Sequence, residues 1–317
     1  MKYLLFTAIL TLTGYSFCQG TSQELYNKGQ QAWENGDYKL WYQNNLDAAQ
    51  KGHPEALLNV AFALDPYFSK RFPFPVEKDA VKAFEFYKKS ADAGSREGAY
   101  MTGDLYRLGE GTTKNVPEAI NYFKKAYELG HPKAANTLYQ LMGNADDYIG
   151  FLQECIGRKN YAAAEELAII YISGEIVQAD ISKAMKCLEA GEKANHGGCL
   201  YVMGYLYRNG FKKSPDGIVT LNNEDADIEK AVYYYNLAGK NGSTNALNNL
   251  GEMYLQGMEV KQDFELSFSN FEKSCNLENG YACYMCGMMI AVPYVTRDAS
   301  LGEEFSQKAI KLGYQPE

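Results

Sequence analysis

The chain has 317 residues, of which 46% are hydrophobic, so it can bury a large core in one domain or in two. Its formal net charge is −8 at pH 7. Proteins that bind a nucleic-acid backbone or an anionic membrane surface normally present a basic face, so this charge balance excludes both as expected partners.

Residues 1–18 have the pattern of a secretory signal peptide. Lys2 is followed by an apolar run that ends at Leu12, and small and polar residues come after it. The run is shorter than the roughly 20 apolar residues that span a bilayer, which favours a cleaved signal over an anchor. We therefore expect cleavage before Gln19, export to the periplasm or the extracellular space, and a mature chain of 19–317 without a membrane-spanning segment.

Two amphipathic helices, joined by a turn, recur along the rest of the chain. The first, which we call helix B, starts with a small residue and has an aromatic residue at plus four and a second small residue at plus seven. These offsets lie on one face of an α-helix. The clearest copies are AFEFYKKSADAG (83–94), AINYFKKAYELG (119–130), AVYYYNLAGKNG (231–242) and SFSNFEKSCNLENG (267–280).

A second helix, helix A, follows each helix B after the turn. It starts with a small residue and has, five positions later, a residue that is often glycine and that we call the mid-helix position. The clearest copies are GAYMTGDLYRLG (98–109), CLYVMGYLYRNG (199–210), ALNNLGEMYLQG (246–257) and ACYMCGMMIAVP (282–293). The mid-helix position lies 20 residues after the first small residue of helix B, as from Ala83 to Gly103 and from Ala184 to Gly204. This constant spacing indicates one recurring unit of about 36 residues.

A helical hairpin of this size cannot bury its apolar stripe alone, so neighbouring hairpins must stack. We therefore predict an all-α fold, an α/α superhelical solenoid of about seven to eight hairpins that forms a single domain over 19–317. The pattern is weakest at 132–156, where Tyr139 replaces the mid-helix glycine and an irregular stack is expected. The segment 211–226 is an insertion between two helices, and it is either a tolerated surface loop or a docking loop.

The two helices and a Val-x-x-Asp sequence before the next helix B together resemble the Sel-one-like repeat family, a relative of the tetratricopeptide repeats. The Val-x-x-Asp sequence occurs at Val76 to Asp79, Val177 to Asp180 and Val260 to Asp263. The resemblance covers about 37–313, nearly the whole mature chain. It implies a non-enzymatic scaffold that binds a protein segment on a concave face, with a cell-wall glycan or peptide as another partner class.

Tyrosine occurs 26 times and has two interpretations. Tyr106, Tyr171, Tyr207 and Tyr254 recur at one helix A position, which favours a role in core packing. Tyr100, Tyr201 and Tyr284 are the candidates for the concave binding face, because tyrosine supplies rigid contact area with a polar tip.

Signal cleavage would leave six cysteines in the mature chain. Cys275 and Cys283 flank a turn from helix B into helix A, and the motif resembles the stapled repeats of a cysteine-rich secreted branch of the same family. The resemblance implies a disulfide between them. The pairing of the other four stays open: Cys155, Cys187, Cys199 and Cys286. The pair Cys283-x-x-Cys286 has no second ligand pair for zinc and no βαβ context for a redox motif, so no metal site is expected.

No catalytic constellation is evident in the sequence, and we expect neither an enzyme nor a bound cofactor. The three histidines, His53, His131 and His196, each stand in a turn before helix A, which is typical of turn residues. Some secreted members of the resembled family are described as β-lactamases or penicillin binders. No serine here is followed three positions later by lysine, and Lys-Thr-Gly is absent, so the serine acyl-enzyme pattern is missing. A weak β-lactamase, or a protein that binds penicillin or peptidoglycan fragments, is the alternative function.

Overall fold

The computed structural model describes residues 21–68, 74, 76–213, 219–221 and 223–314. The predicted signal peptide, 1–18, and its cleavage site lie outside the described residues. The described part of the chain contains sixteen α-helices. They are α1 (21–34), α2 (Tyr38–Gln50), α3 (Pro54–Leu64), α4 (Ala80–Asp92), α5 (Arg96–Leu108), α6 (Val116–Glu128), α7 (Ala134–Met142), α8 (Ala145–Gly157), α9 (Tyr161–Ser173), α10 (Ile181–Lys193), α11 (Gly197–Asn209), α12 (Ile228–Lys240), α13 (Thr244–Gln256), α14 (Phe264–Asn276), α15 (Gly280–Ala291) and α16 (Ala299–Lys311).

The helices alternate along the chain as the repeat pattern predicted. The odd-numbered ones are A helices and the even-numbered ones are B helices, so the sequence contains eight consecutive A–B pairs. None of the helices among the described residues combines the length and the apolar character that crossing a membrane requires. The predicted all-α architecture of helical hairpins is confirmed.

The chain divides into two compact units between Asn144 and Ala145. The first unit contains α1 to α7, and the second contains α8 to α16. The division falls inside 132–156, the segment with the weakest repeat pattern, and α7 has only 9 residues there. A single domain over 19–317 stays a prediction.

The aspartate of each Val-x-x-Asp sequence caps the B helix that follows. The Asp79 carboxylate accepts a hydrogen bond of 3.0 Å from the backbone N–H of Lys82, and Asp263 accepts one of 2.9 Å from Leu266. Asp180 does the same at the start of α10. A cap of this kind contributes about 1 kcal/mol to helix stability because it satisfies an N–H group that has no partner within the helix. The motif therefore marks helix starts.

The aromatic residue at plus four of helix B forms the centre of the core. The four predicted examples have no exposed surface: Tyr87, Phe123, Tyr235 and Phe271. Burying a side chain of this size contributes roughly 1.5–3 kcal/mol. Each hairpin therefore supplies one large apolar anchor to its stack.

The mid-helix glycines lie against these aromatic rings. A methyl group added at Gly204 would be 2.5 Å from Cδ1 of Tyr235, and one at Gly251 would be 2.7 Å from Cζ of Phe271. Non-bonded carbon atoms prefer a separation of about 3.5–4.0 Å, so a side chain at either glycine requires the ring to move. Each ring belongs to the helix B that follows its glycine, whereas the spacing in the sequence relates helix B to the helix A after it.

The insertion at 211–226 is the one described segment with strands. Strand β1 (Phe211–Lys213) pairs with β2 (Val219–Leu221) in an antiparallel hairpin, with Phe211 opposite Leu221. The sequence pattern predicts a loop here, because short strands without an alternating apolar pattern give a weak signal. A docking role for this segment stays a prediction.

Candidate functional site

The three tyrosines predicted for the binding face lie three residues before the mid-helix position of their A helices. All three are half-buried. The Tyr201 ring lies 5.9 Å from that of Tyr235, and the Tyr284 ring lies 5.4 Å from that of Tyr314. Much of the surface of Tyr201 and Tyr284 is therefore used in contacts within the second unit.

Tyr100 lines a groove in the first unit. Its ring stacks on His131 at a centroid distance of 4.1 Å, and its hydroxyl is 3.2 Å from Oγ1 of Thr137. The groove has a volume of about 350 Å³ and lies between α5 and α7 in the first unit. Its lining residues are Tyr100, Asp104, Arg107, Thr137, Gln140 and Leu141.

The side chains that line this groove include both hydrogen-bond donors and hydrogen-bond acceptors. The Arg107 guanidinium donates to Oδ1 of Asp104 through Nε at 2.9 Å and Nη2 at 2.6 Å. Arginine has five N–H donors, so it can hold this carboxylate and still bind a ligand. The Thr137 hydroxyl and the Gln140 amide stand on the opposite helix, one helical turn apart. The groove can therefore donate to and accept from an extended polypeptide backbone.

Sequence reasoning missed five of the six groove residues. Asp104 and Arg107 occupy the positions one and four residues after the mid-helix glycine of α5, which is Gly103. Positions at this spacing lie one above the other on a helix, so a search for polar residues one and four after the mid-helix position would have found them. The sequence gives no direct signal that Gln140 of α7 faces them.

The three histidines have a shared structural role. Nδ1 of His53 accepts a hydrogen bond from the backbone N–H of Ala56, and Nδ1 of His196 accepts one from Cys199. Nδ1 of His131 accepts one from the backbone N–H of Lys133. Burial lowers the pKa of all three imidazoles, so they are held in the neutral form that this role requires. The prediction that they are turn residues is confirmed.

Replacing His53 by asparagine is expected to reduce the pH dependence of stability. Burial lowers the pKa of His53 below the ordinary value of 6.5, so the unfolded chain takes up protons more readily in the interval between the two values. The wild-type histidine therefore destabilises the fold as the pH falls below about 6.5. Asparagine is an equally good cap and does not titrate. Urea unfolding on either side of this pH measures the difference, and an identical pH dependence in both proteins would contradict the expectation.

The structure contains the disulfide that the resemblance implied. Cys275 near the end of α14 and Cys283 in α15 are bonded, with their Cα atoms 4.7 Å apart. Cys187, Cys199 and Cys286 carry free thiols, and burial raises the pKa of Cys199 and Cys286 to about 12. These two are protonated at neutral pH and serve as small packing residues rather than nucleophiles. Within the described residues, no group of three or more His, Cys, Asp or Glu side chains is placed to hold a metal ion.

A family model described as the Sel1 repeat matches more than half of the chain. The matched segments are 54–95, 96–131, 162–196, 198–243, 244–279 and 280–314. The segment 96–131 spans α5 and α6, an A helix followed by its B helix. The family unit therefore consists of a helix A followed by a helix B. These are the same two helices that pack together through the mid-helix glycine and the aromatic ring.

Two curated proteins resemble parts of the chain. An uncharacterized protein of Neisseria meningitidis is 28% identical over 174 residues, which cover 54% of this chain and 35% of that protein. The chitin synthase regulator SKT5 of Saccharomyces cerevisiae is 27% identical over 225 residues, which cover 66% of this chain and 30% of that protein. The matched part thus spans about a third of the length of these relatives.

A solved structure of similar fold covers nearly the whole chain. The Sel1 repeat protein from Oxalobacter formigenes superposes with a TM-score of 0.52 at 19% sequence identity. The match covers 98% of this chain and 90% of that one. This likeness shows the fold alone, and it confirms the predicted α/α solenoid.

Proposed function

The chain belongs to the Sel1 repeat family, and from this premise we propose that it is a non-catalytic scaffold that binds a polypeptide segment along its A helices. A fold does not dictate a function, so the proposal needs a site. The observation that carries it is the open groove between α5 and α7, which combines a guanidinium, a carboxylate, a hydroxyl, an amide and an aromatic ring.

The groove suits an extended peptide in both geometry and chemistry. An extended backbone presents N–H and C=O groups in alternation. The Thr137 hydroxyl donates to the carbonyl of Lys133 and can accept from a partner N–H. The Gln140 amide, which donates one N–H to Asn136, can still accept and donate. Arg107 would bind a carboxylate or a carbonyl of the partner. Tyr100 is fixed by its stacking on His131, so it can supply contact area at little cost in conformational entropy. The ligand would therefore be a polar, extended segment that offers Arg107 a carbonyl or a carboxylate.

The groove's arginine provides the test of this function. With the full chain as bait in extracts of its native host, the Arg107→Glu variant is expected to retain at least tenfold less of a partner that the wild type captures reproducibly. A charge reversal at a buried or bidentate contact typically costs more than about 1.4 kcal/mol, which corresponds to tenfold. Lys88→Glu is the matched control, because Lys88 is exposed on α4 outside the groove. Equal capture by all three proteins would overturn the proposed site.

The packing of the buried serines supports the non-catalytic part of the proposal. Ser90 donates its hydroxyl to the backbone carbonyl of Pro54 at 2.9 Å, and Ser267 donates to that of Gly251 at 2.7 Å. These hydroxyls link neighbouring helices. A nitrocefin assay tests the alternative, and β-lactam turnover that a single substitution abolishes would contradict a non-catalytic scaffold.

Export of the chain is part of the same proposal. The hydrophobic pattern of residues 1–18 suggests it, and the Cys275–Cys283 disulfide is consistent with it because disulfides persist mainly in oxidising compartments. Mass spectrometry of the protein from its native host is expected to find Gln19 as the first residue. An intact amino terminus at Met1 would contradict export by signal cleavage.

A further inference from the structure

A second cavity lies in the first unit, between the first three helices and the side chains of Phe68 and Phe74. It has a volume of about 310 Å³, within the roughly 300–1,000 Å³ of small-ligand pockets. It is lined mainly by Gln30, Trp33, Trp41, Asn59, Phe62 and Phe74. The chain has two tryptophans, and both line this cavity.

The aromatic rings hold one another in fixed orientations. Trp41 is 4% exposed and stacks on Phe74 at a centroid distance of 5.0 Å and an interplanar angle of 19°. Trp33 lies 5.3 Å from Trp41, and Phe62 packs edge-to-face on Phe68 at 4.8 Å. Aromatic pairs in these geometries contribute about 0.5–1.5 kcal/mol beyond the area they bury. The cavity therefore has a rigid apolar wall.

The charges around the cavity favour a neutral ligand. None of the described lining residues is ionisable with a charge at neutral pH. The Lys78 ammonium lies 5.2 Å from the centroid of the Phe74 ring and donates a hydrogen bond of 2.8 Å to the carbonyl of Ala63. A cationic ligand would be repelled by this ammonium, and an anionic ligand would find no charged donor in the lining.

Two amides supply the polar contacts of the cavity. Asn59 donates through Nδ2 to Oδ1 of Asn45 at 2.8 Å, and Asn45 donates in turn to the carbonyl of Trp41 at 2.8 Å. This chain of hydrogen bonds fixes the Asn59 amide. Gln30 is half-buried at the position one residue after Gly29, the mid-helix glycine of α1. A ligand with apolar faces and carbonyl acceptors would pair with the NH₂ group of Gln30.

We propose that this cavity binds an uncharged, proline-rich segment of a partner polypeptide in the polyproline II conformation. Such a segment has no internal hydrogen bonds, so its carbonyls are free to accept, and its proline rings pack against aromatic side chains. The chain itself places Phe74, part of the sequence Phe-Pro-Phe-Pro at 72–75, against Trp41. The inference rests on the proposed function as a polypeptide-binding scaffold, but it concerns a different site.

Tryptophan fluorescence of the full chain tests the inference, because both tryptophans report on the cavity. Titration with decaproline, acetylated and amidated to remove its terminal charges, is expected to give a saturable change in emission. A Gly-Ser decapeptide with the same blocked ends is expected to give none. The inference would be overturned if decaproline gave no saturable change or if the Gly-Ser peptide gave an equal change. It would also be overturned if cellotetraose, a neutral oligosaccharide, changed the emission and decaproline did not.

Two variants locate the binding within the cavity. Gln30→Ala removes one donor and is expected to weaken decaproline binding about fivefold, the usual effect of one hydrogen bond. Phe62→Ala is expected to weaken it more, and Phe86→Ala is the matched control because Phe86 is a half-buried phenylalanine of α4 outside the cavity lining. Circular dichroism shows whether each variant is folded. If Phe62→Ala is unfolded, the affinity of Gln30→Ala decides the outcome. Unchanged affinity in the folded cavity variants would overturn the site.

The groove variant separates this inference from the proposed function. Arg107→Glu is expected to bind decaproline as the wild type does, because Arg107 does not line the cavity. If Arg107→Glu keeps its captured partners while the cavity variants lose decaproline, the proposed groove fails and the cavity stands. If Arg107→Glu loses its captured partners while the wild type does not bind decaproline, the cavity inference fails and the proposed groove is supported.

Discussion

Replacing Gly204 by leucine is expected to lower the free energy of unfolding by about 3 kcal/mol, the upper end of the usual range for overpacking a core. A methyl group alone at this position would lie 2.5 Å from Cδ1 of Tyr235. Tyr235 has no exposed surface, so its ring cannot turn into solvent to make room. Helices α11 and α12 would have to separate, and the apolar contacts between them would be lost.

Gly150→Ala is the matched control for this substitution. Gly150 lies in α8, in the same compact unit as Gly204, and a methyl group added there would meet no atom within 4 Å. Alanine at an open helical position is expected to raise stability by roughly 0.5–1 kcal/mol, because it restricts the unfolded chain. Urea unfolding followed by circular dichroism compares the three proteins. A Gly204→Leu midpoint equal to that of the wild type would contradict the described packing.

Removing the disulfide is expected to have the second largest effect. The double variant Cys275→Ala, Cys283→Ala should lose about 2.5 kcal/mol, the loop-closure estimate for two cysteines separated by 8 residues. Both side chains are fully buried, so loss of their packing adds to the effect. The bond joins α14 to α15, so its loss loosens the link between two consecutive hairpins.

Reduction supplies the control for the disulfide prediction. A reductant should lower the urea midpoint of the wild-type protein toward that of the double variant. It should leave the midpoint of the double variant unchanged, because Cys275–Cys283 is the disulfide found among the described residues. Wild-type protein whose midpoint does not respond to reductant, under conditions that expose the bond, would contradict a structural role for this disulfide.

Local patterns predicted the helices because each signal has a local physical cause. Val-x-x-Asp marks the start of helix B since the Asp79 carboxylate caps the N–H of Lys82. A glycine ends helix A at Gly109, where φ is 81°, a conformation that residues with a side chain rarely adopt. The aromatic residue at plus four is buried because it lies on the same face as the small residues at the first position and at plus seven.

The candidate sites were harder to predict because they form between helices that are distant in the sequence. The sequence pattern predicts that Tyr100 is a surface residue of α5, but His131, from the turn before α7, stacks on its ring. The opposition of Arg107 and Gln140 depends on how neighbouring A helices stack, which periodicity along one helix does not specify. In the aromatic cavity, Trp33 and Phe62 have the pattern of ordinary core residues. Only the packing of the helices leaves a space between them.

Photo-crosslinking from the groove tests the central claim, which is that the face of the A helices binds a polypeptide. A photoreactive benzoylphenylalanine is placed at Gln140, inside the groove, or at Lys88 on α4, outside it. In the native host, the probe at Gln140 is expected to give a discrete adduct with another polypeptide, and the adduct should disappear when Arg107→Glu is added. Absence of an adduct at Gln140, or the same adduct from both positions, would contradict the claim.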